Sequence, residues 1–272
     1  MTTEEIMQVA LDLAGFARIP EDSAIYVRGD RIRRVLFGID VGPAELLLAR
    51  QLGFDCVVAH HPVNATPDAW KVYLRHVEFM VAAGVPEDAA LAAVADRVDA
   101  YRVRAHVWNY DHVPSVARLL GIPFLNVHAP LDEVGRRRMI EVVRHVQSED
   151  PHATVGDLAR ALGRLPEITN AQTAVEVRLG SADSVAGNVV VAHGALTNGG
   201  YDVASTCFAH GVDTVVYIHI DYAELQRLRR DGRGNLIVTG HIASDSLGFT
   251  PFLQALRARG LEVTTFSGVI AP

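Results

Sequence analysis

At 272 residues, 49% of them hydrophobic, the chain is long enough to bury a large core in one big domain or two smaller ones, and too apolar to be disordered. Its formal charge of −7 argues against nucleic acid as the main partner, since that role needs a basic footprint. Two cysteines, Cys56 and Cys207, exclude a disulfide framework and read as small buried hydrophobes of a reducing compartment.

The opening "MTTEEIMQVALDLAGF" predicts an acidic amphipathic helix rather than a signal peptide. No apolar run is long enough to span a bilayer, so the chain reads as soluble and cytoplasmic. "RIRRVLFGID" predicts a strand, "GPAELLLARQLG" a helix and "FDCVVAHHP" a second strand, which together make a βαβ unit. Strands that are apolar throughout suit a parallel sheet covered on both faces. Residues 68–101 are helical with a break near Gly84–Pro86, and "RVRAHVWNYDHVP" reads as a strand running into a loop. "SVARLLG" is a short helix, "FLNVHAP" a strand, and "GRRRMIEVVRHVQS" and "TVGDLARALG" are helices. Beyond them "AVEVRLG" and "NVVVAHG" are strands, "YDVASTCFAHG" a helix, "TVVYIHI" a strand and "YAELQRLRR" a helix. "NLIVTGHIA" is a strand, "SDSLGFTPFLQALRARG" a helix and "LEVTTFSGVI" a closing strand. The alternation predicts an α/β fold of two interlinked domains with mixed or parallel sheets: residues 1–125 with 236–272, and residues 126–235.

The chain holds 12 histidines, and those at positions 60, 61, 106, 193, 219 and 241 fall at or near the ends of apolar runs, where α/β proteins keep their chemistry. Neighbouring side chains in a strand point to opposite faces, so His60 and His61 can share a site only if the backbone bends there. Pro62 is the residue that favours such a bend. Three groups of metal-capable side chains recur: His60 with His61, His106 with Asp111 and His112, and His241 with Asp245. If the helix after "TGHI" starts early, the His241–Asp245 spacing puts both on one face. Nitrogen and carboxylate donors without thiolate suit zinc, manganese, iron or cobalt. Each group also has an ordinary structural reading: a hydrogen-bonded turn pair for the two histidines, an Asx turn for "NYD", a helix cap for Asp245. "GALTNGG" matches neither a P-loop nor a dinucleotide fingerprint, and the arginine runs at 135–138 and 227–234 read as solvated helix ends.

The stretches "RIRRVLFGIDV", "ARQLGFDCVVAHHPV", "AHVWNYD", "VARLLGIP", "TGHIASD" and "FLQALRARGLEV", in that order, resemble the NIF-three-like family, also described as dinuclear metal-centre hexameric proteins or type 2 GTP cyclohydrolase I. The resemblance implies metal ligands at His60, His61, Asp111, His241 and Asp245, two divalent ions per chain in a cleft between the domains, and a ring-shaped homohexamer. It sets Asp245 where the family usually has Glu, and "HVWNYD" is one residue longer than the family's His–Thr–Asn–Leu–Asp segment. "TVVYIHID" stands in place of a Thr–Gly–Glu–Ile stretch, with His219 at the position of the glutamate. The expected function is a metal-dependent hydrolase of a nucleotide-like or other small molecule, with His219, His193 and His106 as acid–base or substrate-contacting groups. The rivals are a non-catalytic metal-binding or regulatory scaffold and a GTP cyclohydrolase-type activity. Tyr217, His219 and Asp221 share one face of their strand by alternation, which predicts that this face lines a cavity.

Overall fold

The computed structural model describes residues 1–272. The chain opens with α1 (Thr3–Ala14), β1 (Ala24–Val27), β2 (Arg34–Gly38), α2 (Pro43–Gln51) and β3 (Cys56–Ala59). Helices α3 (Trp70–Tyr73), α4 (Arg75–Ala82), α5 (Glu87–Ala105) and α6 (His112–Leu120) lead to β4 (Phe124–Asn126). Then come α7 (Ala129–Glu149), α8 (Val155–Leu162), α9 (Pro166–Thr169), β5 (Glu176–Leu179) and β6 (Val189–Val191). The last stretch carries α10 (Gly200–Ala209), β7 (Thr214–Tyr217), α11 (Tyr222–Asp231), β8 (Asn235–Val238), α12 (His241–Ala258) and β9 (Glu262–Phe266). The expected α/β class is the observed one, and no helix is long and apolar enough to cross a membrane.

The chain divides into two compact units along lines that differ from the expected domain boundaries. The first unit comprises residues 1–72, 100–134 and 248–269; the second comprises 73–99, 135–247 and 270–272. Helices α4 and most of α5 therefore belong with the middle of the chain, and the seams fall after residues 134 and 247 rather than 125 and 235.

In the first unit a five-stranded sheet runs β1-β4-β3-β2-β9, with β1 antiparallel to β4 and the other pairs parallel. Every residue of β3 is buried, which is why its sequence is uninterruptedly apolar. On one face Ile6 and Leu11 of α1 pack with Phe37, Phe249 and Phe252, the Phe37 and Phe249 rings meeting edge to face at 5.0 Å. On the other, Leu36, Val57 and Phe124 are covered by Leu46 of α2 and Ala117 of α6. The start of α1 is fixed by a capping box between Thr2 and Glu5.

In the second unit a four-stranded sheet runs β5-β8-β7-β6, with β5 antiparallel to β8 and the rest parallel. Its core joins Val191, Val216 and Ile237 of the strands to Met139 and Val143 of α7 and Leu158 and Leu162 of α8. Both cysteines are free and buried as expected, and burial pushes the Cys207 thiol up to about 12.

Three local expectations are corrected. "RVRAHVWNYDHVP" holds no strand: α5 continues through Ala105, and Val103 and Val107 are 61% and 80% exposed. A strand that needs a buried face finds none there, while alanine and arginine favour helix. Strand β1, "AIYV", lies outside the predicted elements; it is a half-buried edge strand with a weak pattern. Finally, Tyr217 does not line a cavity but is fully buried, its hydroxyl donating to the Gly200 carbonyl at 3.0 Å.

Candidate metal centre

In the first unit the donors gather past the carboxyl ends of β3 and β4. The ladder between β2 and β3 continues one step beyond the strand, His60 N–H donating to Gly38 and His61 N–H to Ile39, before Pro62 ends it. The two rings lie 5.1 Å apart, and His60 sits 4.8 Å from the ring of His128, which follows β4. The ligand-capable atoms of His60, His61 and His128 all lie within 4.8 Å of one another.

What stands behind each ring fixes its tautomer. His60 Nδ1 is 2.9 Å from the Val127 carbonyl, which can only accept, so Nδ1 carries the hydrogen. His61 Nδ1 meets the Asp40 carboxylate at 2.7 Å, and His128 Nδ1 meets Asp22 at 2.7 Å. In its neutral form each ring therefore carries its lone pair on Nε2, the arrangement in which an imidazole oriented by an oxygen acceptor ligates a metal. Asp132, in the first turn of α7, brings one carboxylate oxygen to 3.2 Å from His60 Nε2 and the other to 3.7 Å from His128 Nε2. A lone pair facing a carboxylate at that range accommodates a proton or a metal ion between them, and the gathering of three imidazoles with this carboxylate gives a donor set that fits a divalent ion. Asp22 is fully buried and also serves the Ser23 hydroxyl and the Ala129 N–H, which makes the support of His128 rigid. A cavity of about 490 Å³ lined by Asp40, Glu45, His61 and Phe266 opens beside the exposed side of the cluster.

In the second unit the same logic repeats past β6, β7 and β8. Their C-terminal extensions deliver His193, His219 and His241, with ladder bonds continuing at Ala192, Thr239 and Gly240. Gly240 takes φ +97, a left-handed turn that lets α12 begin at His241. Spacing i,i+4 then sets His241 Nε2 3.3 Å from Asp245, as expected from the sequence; His193 Nε2 lies 3.9 Å from the other Asp245 oxygen. The His219 ring is 4.7 Å from that of His241. Burial pushes the His219 pKa below its ordinary value, with neighbouring His241 adding in the same direction and Asp245 and Asp221 opposing.

Two expected site residues lie elsewhere. Asp111 precedes α6, exposed, in a two-pronged ion pair with Arg118, one oxygen at 2.7 Å; it does not join His60 and His61. His106 is exposed beside a separate cavity with Trp70, Trp108 and Tyr110. The residues that the structure instead brings beside His60 are His128 and Asp132. "VHAPLD" has the His-x-x-x-Asp spacing of the family segment, which "HVWNYD" lacks by one residue.

An α/β protein with histidine-rich, metal-capable ends to its parallel strands is the class these features define. No family model matches the chain, and no curated protein sequence matches it. Among solved structures, the crystal structure of a NIF3 superfamily protein from Sphaerobacter thermophilus is 50% identical, over 98% of this chain and 98% of that one, with a TM-score of 0.96. Reduced HcgD from Methanocaldococcus jannaschii is similar at 13% identity over 97% of both chains, TM-score 0.60. A Thermus thermophilus protein is similar at 19% identity over 100% of this chain and 99% of that one, TM-score 0.52. These two show the shared fold alone. With half its residues identical to the Sphaerobacter protein along almost its whole length, the chain belongs to the NIF3 superfamily.

Proposed function

We propose that the protein is a metal-dependent hydrolase of a small, nucleotide-like or other oxygen-rich molecule, using two divalent ions per chain. The donors are His60, His61, His128 and Asp132 in the first unit, and His241 and Asp245 in the second. The observation that carries the reading is the shared tautomer of His60, His61 and His128: three Nδ1–H groups given to oxygen acceptors, three Nε2 lone pairs left for an ion. Zinc, manganese, iron or cobalt bound by these donors supplies Lewis acidity and a water of lowered pKa. The chain's own part is to orient the imidazoles through Asp22, Asp40 and the Val127 carbonyl, and to offer the cavity beside His61 to the substrate. His193 and His219 then contact the substrate. The family resemblance adds a cytoplasmic homohexamer to the proposal, which light scattering tests.

Elemental analysis of protein purified without chelator should find about two ions per chain, and a screen of phosphoesters and nucleotides should find turnover lost on chelation and restored by metal. Ions without turnover on any substrate would favour the non-catalytic scaffold. Absence of ions in protein reloaded with each metal would end the reading.

A further inference from the structure

We propose that Asn198 is a positioning residue that holds the single hydrogen of His219 on Nε2, so that His219 donates to a substrate oxygen and is not a ligand of the ions. The inference deepens the hydrolase reading and rests on it for the word substrate; the tautomer itself does not.

Asn198 is buried, and its Oδ1 lies 2.8 Å from the Gly200 N–H. An N–H can only donate, so the oxygen end of the side chain is the one facing Gly200, and the amide is not free to flip. Its nitrogen end then lies 2.9 Å from His219 Nδ1. An amide NH2 has no lone pair to offer, so Nδ1 must be the acceptor. A hydrogen on Nδ1 would set N–H against N–H. The neutral ring is left with its hydrogen on Nε2, which therefore has no lone pair for a metal.

The loop that carries Asn198 is held along its length. Arg75 donates to the Gly194 carbonyl, and His76 Nε2–H donates to Thr197 at 2.9 Å. Tyr73 donates to Gly199 at 3.2 Å and Tyr217 to Gly200 at 3.0 Å. Gly200 has φ +62, and a side chain there would run into the Glu224 carboxylate, which is paired with Arg97. Four side-chain donors thus tie down four carbonyls within the seven residues that include Asn198. His219 is thus the inverse of His60, His61 and His128: an amide donor stands behind it, where oxygen acceptors stand behind them.

Asn198→Asp provides the test, because a carboxylate can still accept the Gly200 N–H while its second oxygen now accepts from His219 Nδ1. Long-range proton–nitrogen spectra of zinc-loaded, histidine-labelled protein report which ring nitrogen is protonated. The wild type should show a bare Nδ1 and a protonated Nε2 at His219, and Asn198→Asp should reverse the pattern. His219→Ala, read separately by elemental analysis, should keep the full wild-type ion content. A protonated Nδ1 in the wild type overturns the proposal even if the aspartate variant does not fold. So does an unreversed pattern in a folded Asn198→Asp, or ion loss in His219→Ala. Wild-type protein that binds no ions sinks the hydrolase reading instead, and its spectra still decide the tautomer.

Discussion

The two units end their parallel strands in the same device and finish it differently. In the first, His128 follows β4 and Asp132 sits in the opening turn of α7; in the second, His241 follows β8 and Asp245 sits one turn into α12. Each pair is His-x-x-x-Asp at a strand-to-helix junction, where the helix spacing points both side chains one way. The difference lies behind the neighbouring imidazoles. Around His128 every ring gives its Nδ1–H to a carboxylate or carbonyl, which orients Nε2 towards the ion of the proposed function. Beside His241 the ring of His219 receives a hydrogen from an amide and keeps its own on Nε2. In the proposed function the same side chain, at the same kind of strand end, serves as ligand or donor according to whether its partner accepts or donates.

The comparison breaks most visibly at His60. His60→Ala should remove the ion from the first unit, seen by elemental analysis as a loss of about half the metal, and leave the Val127 carbonyl without its donor at about 1–3 kcal/mol of stability. Unchanged metal content would remove the basis for calling this ring a ligand.

The second unit should be the more acid-sensitive one. His76 is fully buried, and its pKa is lowered to about 4, first by burial and then by Arg75 and Arg97 nearby. Its ordinary value is about 6.5, so below that pH the unfolded chain takes up a proton that the fold refuses. Stability is complete above pH of about 6.5 and falls as the pH drops towards 4, by about 3 kcal/mol over the whole window. Denaturant midpoints measured across that range should show the slope, and His76→Gln, which can keep a donor to Thr197, should flatten it. Because His76 holds the loop of Asn198, the His219 tautomer signal should be lost along the same acid limb.

Asp22→Asn sharpens the contrast between acceptor and donor. Replacing a carboxylate behind His128 should weaken ion binding about 10- to 100-fold in a competition titration with a chelating dye. The same titration on Asn198→Asp should show no loss of that size. The smallest effect belongs to Asp111→Asn. An exposed pair with Arg118 contributes about 0–1 kcal/mol, so melting temperature and ion content should both stay close to wild type. A lost ion there would restore Asp111 as a ligand.

The strand ends could be read in the sequence because apolar runs stop at His60, His193, His219 and His241, and because Pro62 forces the chain to turn. The His241–Asp245 pair could be read from helical spacing. The equivalent His128–Asp132 pair was hidden by Pro130 between them, which reads as a breaker although proline suits the first turn of a helix. Asn and Asp in "HVWNYD" drew the family segment to Asp111, at a spacing of five where the motif has four, and the structure leaves that residue exposed beside Arg118. Asp22 and Asn198 left no local signal. Asp22 lies 106 residues from His128 in sequence, and only the pairing of β1 with β4 brings it there. Asn198 sits in a glycine-rich loop whose shape depends on tyrosine and histidine donors from α3, α4 and β7.

The central claim is that the three imidazoles with acceptors behind Nδ1 bind a divalent ion through Nε2. An anomalous difference map from crystals of the zinc-loaded protein, recorded at the zinc edge, tests it most directly. The account predicts a peak in the first unit within bonding reach of the Nε2 atoms of His60, His61 and His128, and none beside Asp111. Density at Asp111, or no peak among the three histidines in fully loaded protein, would contradict it.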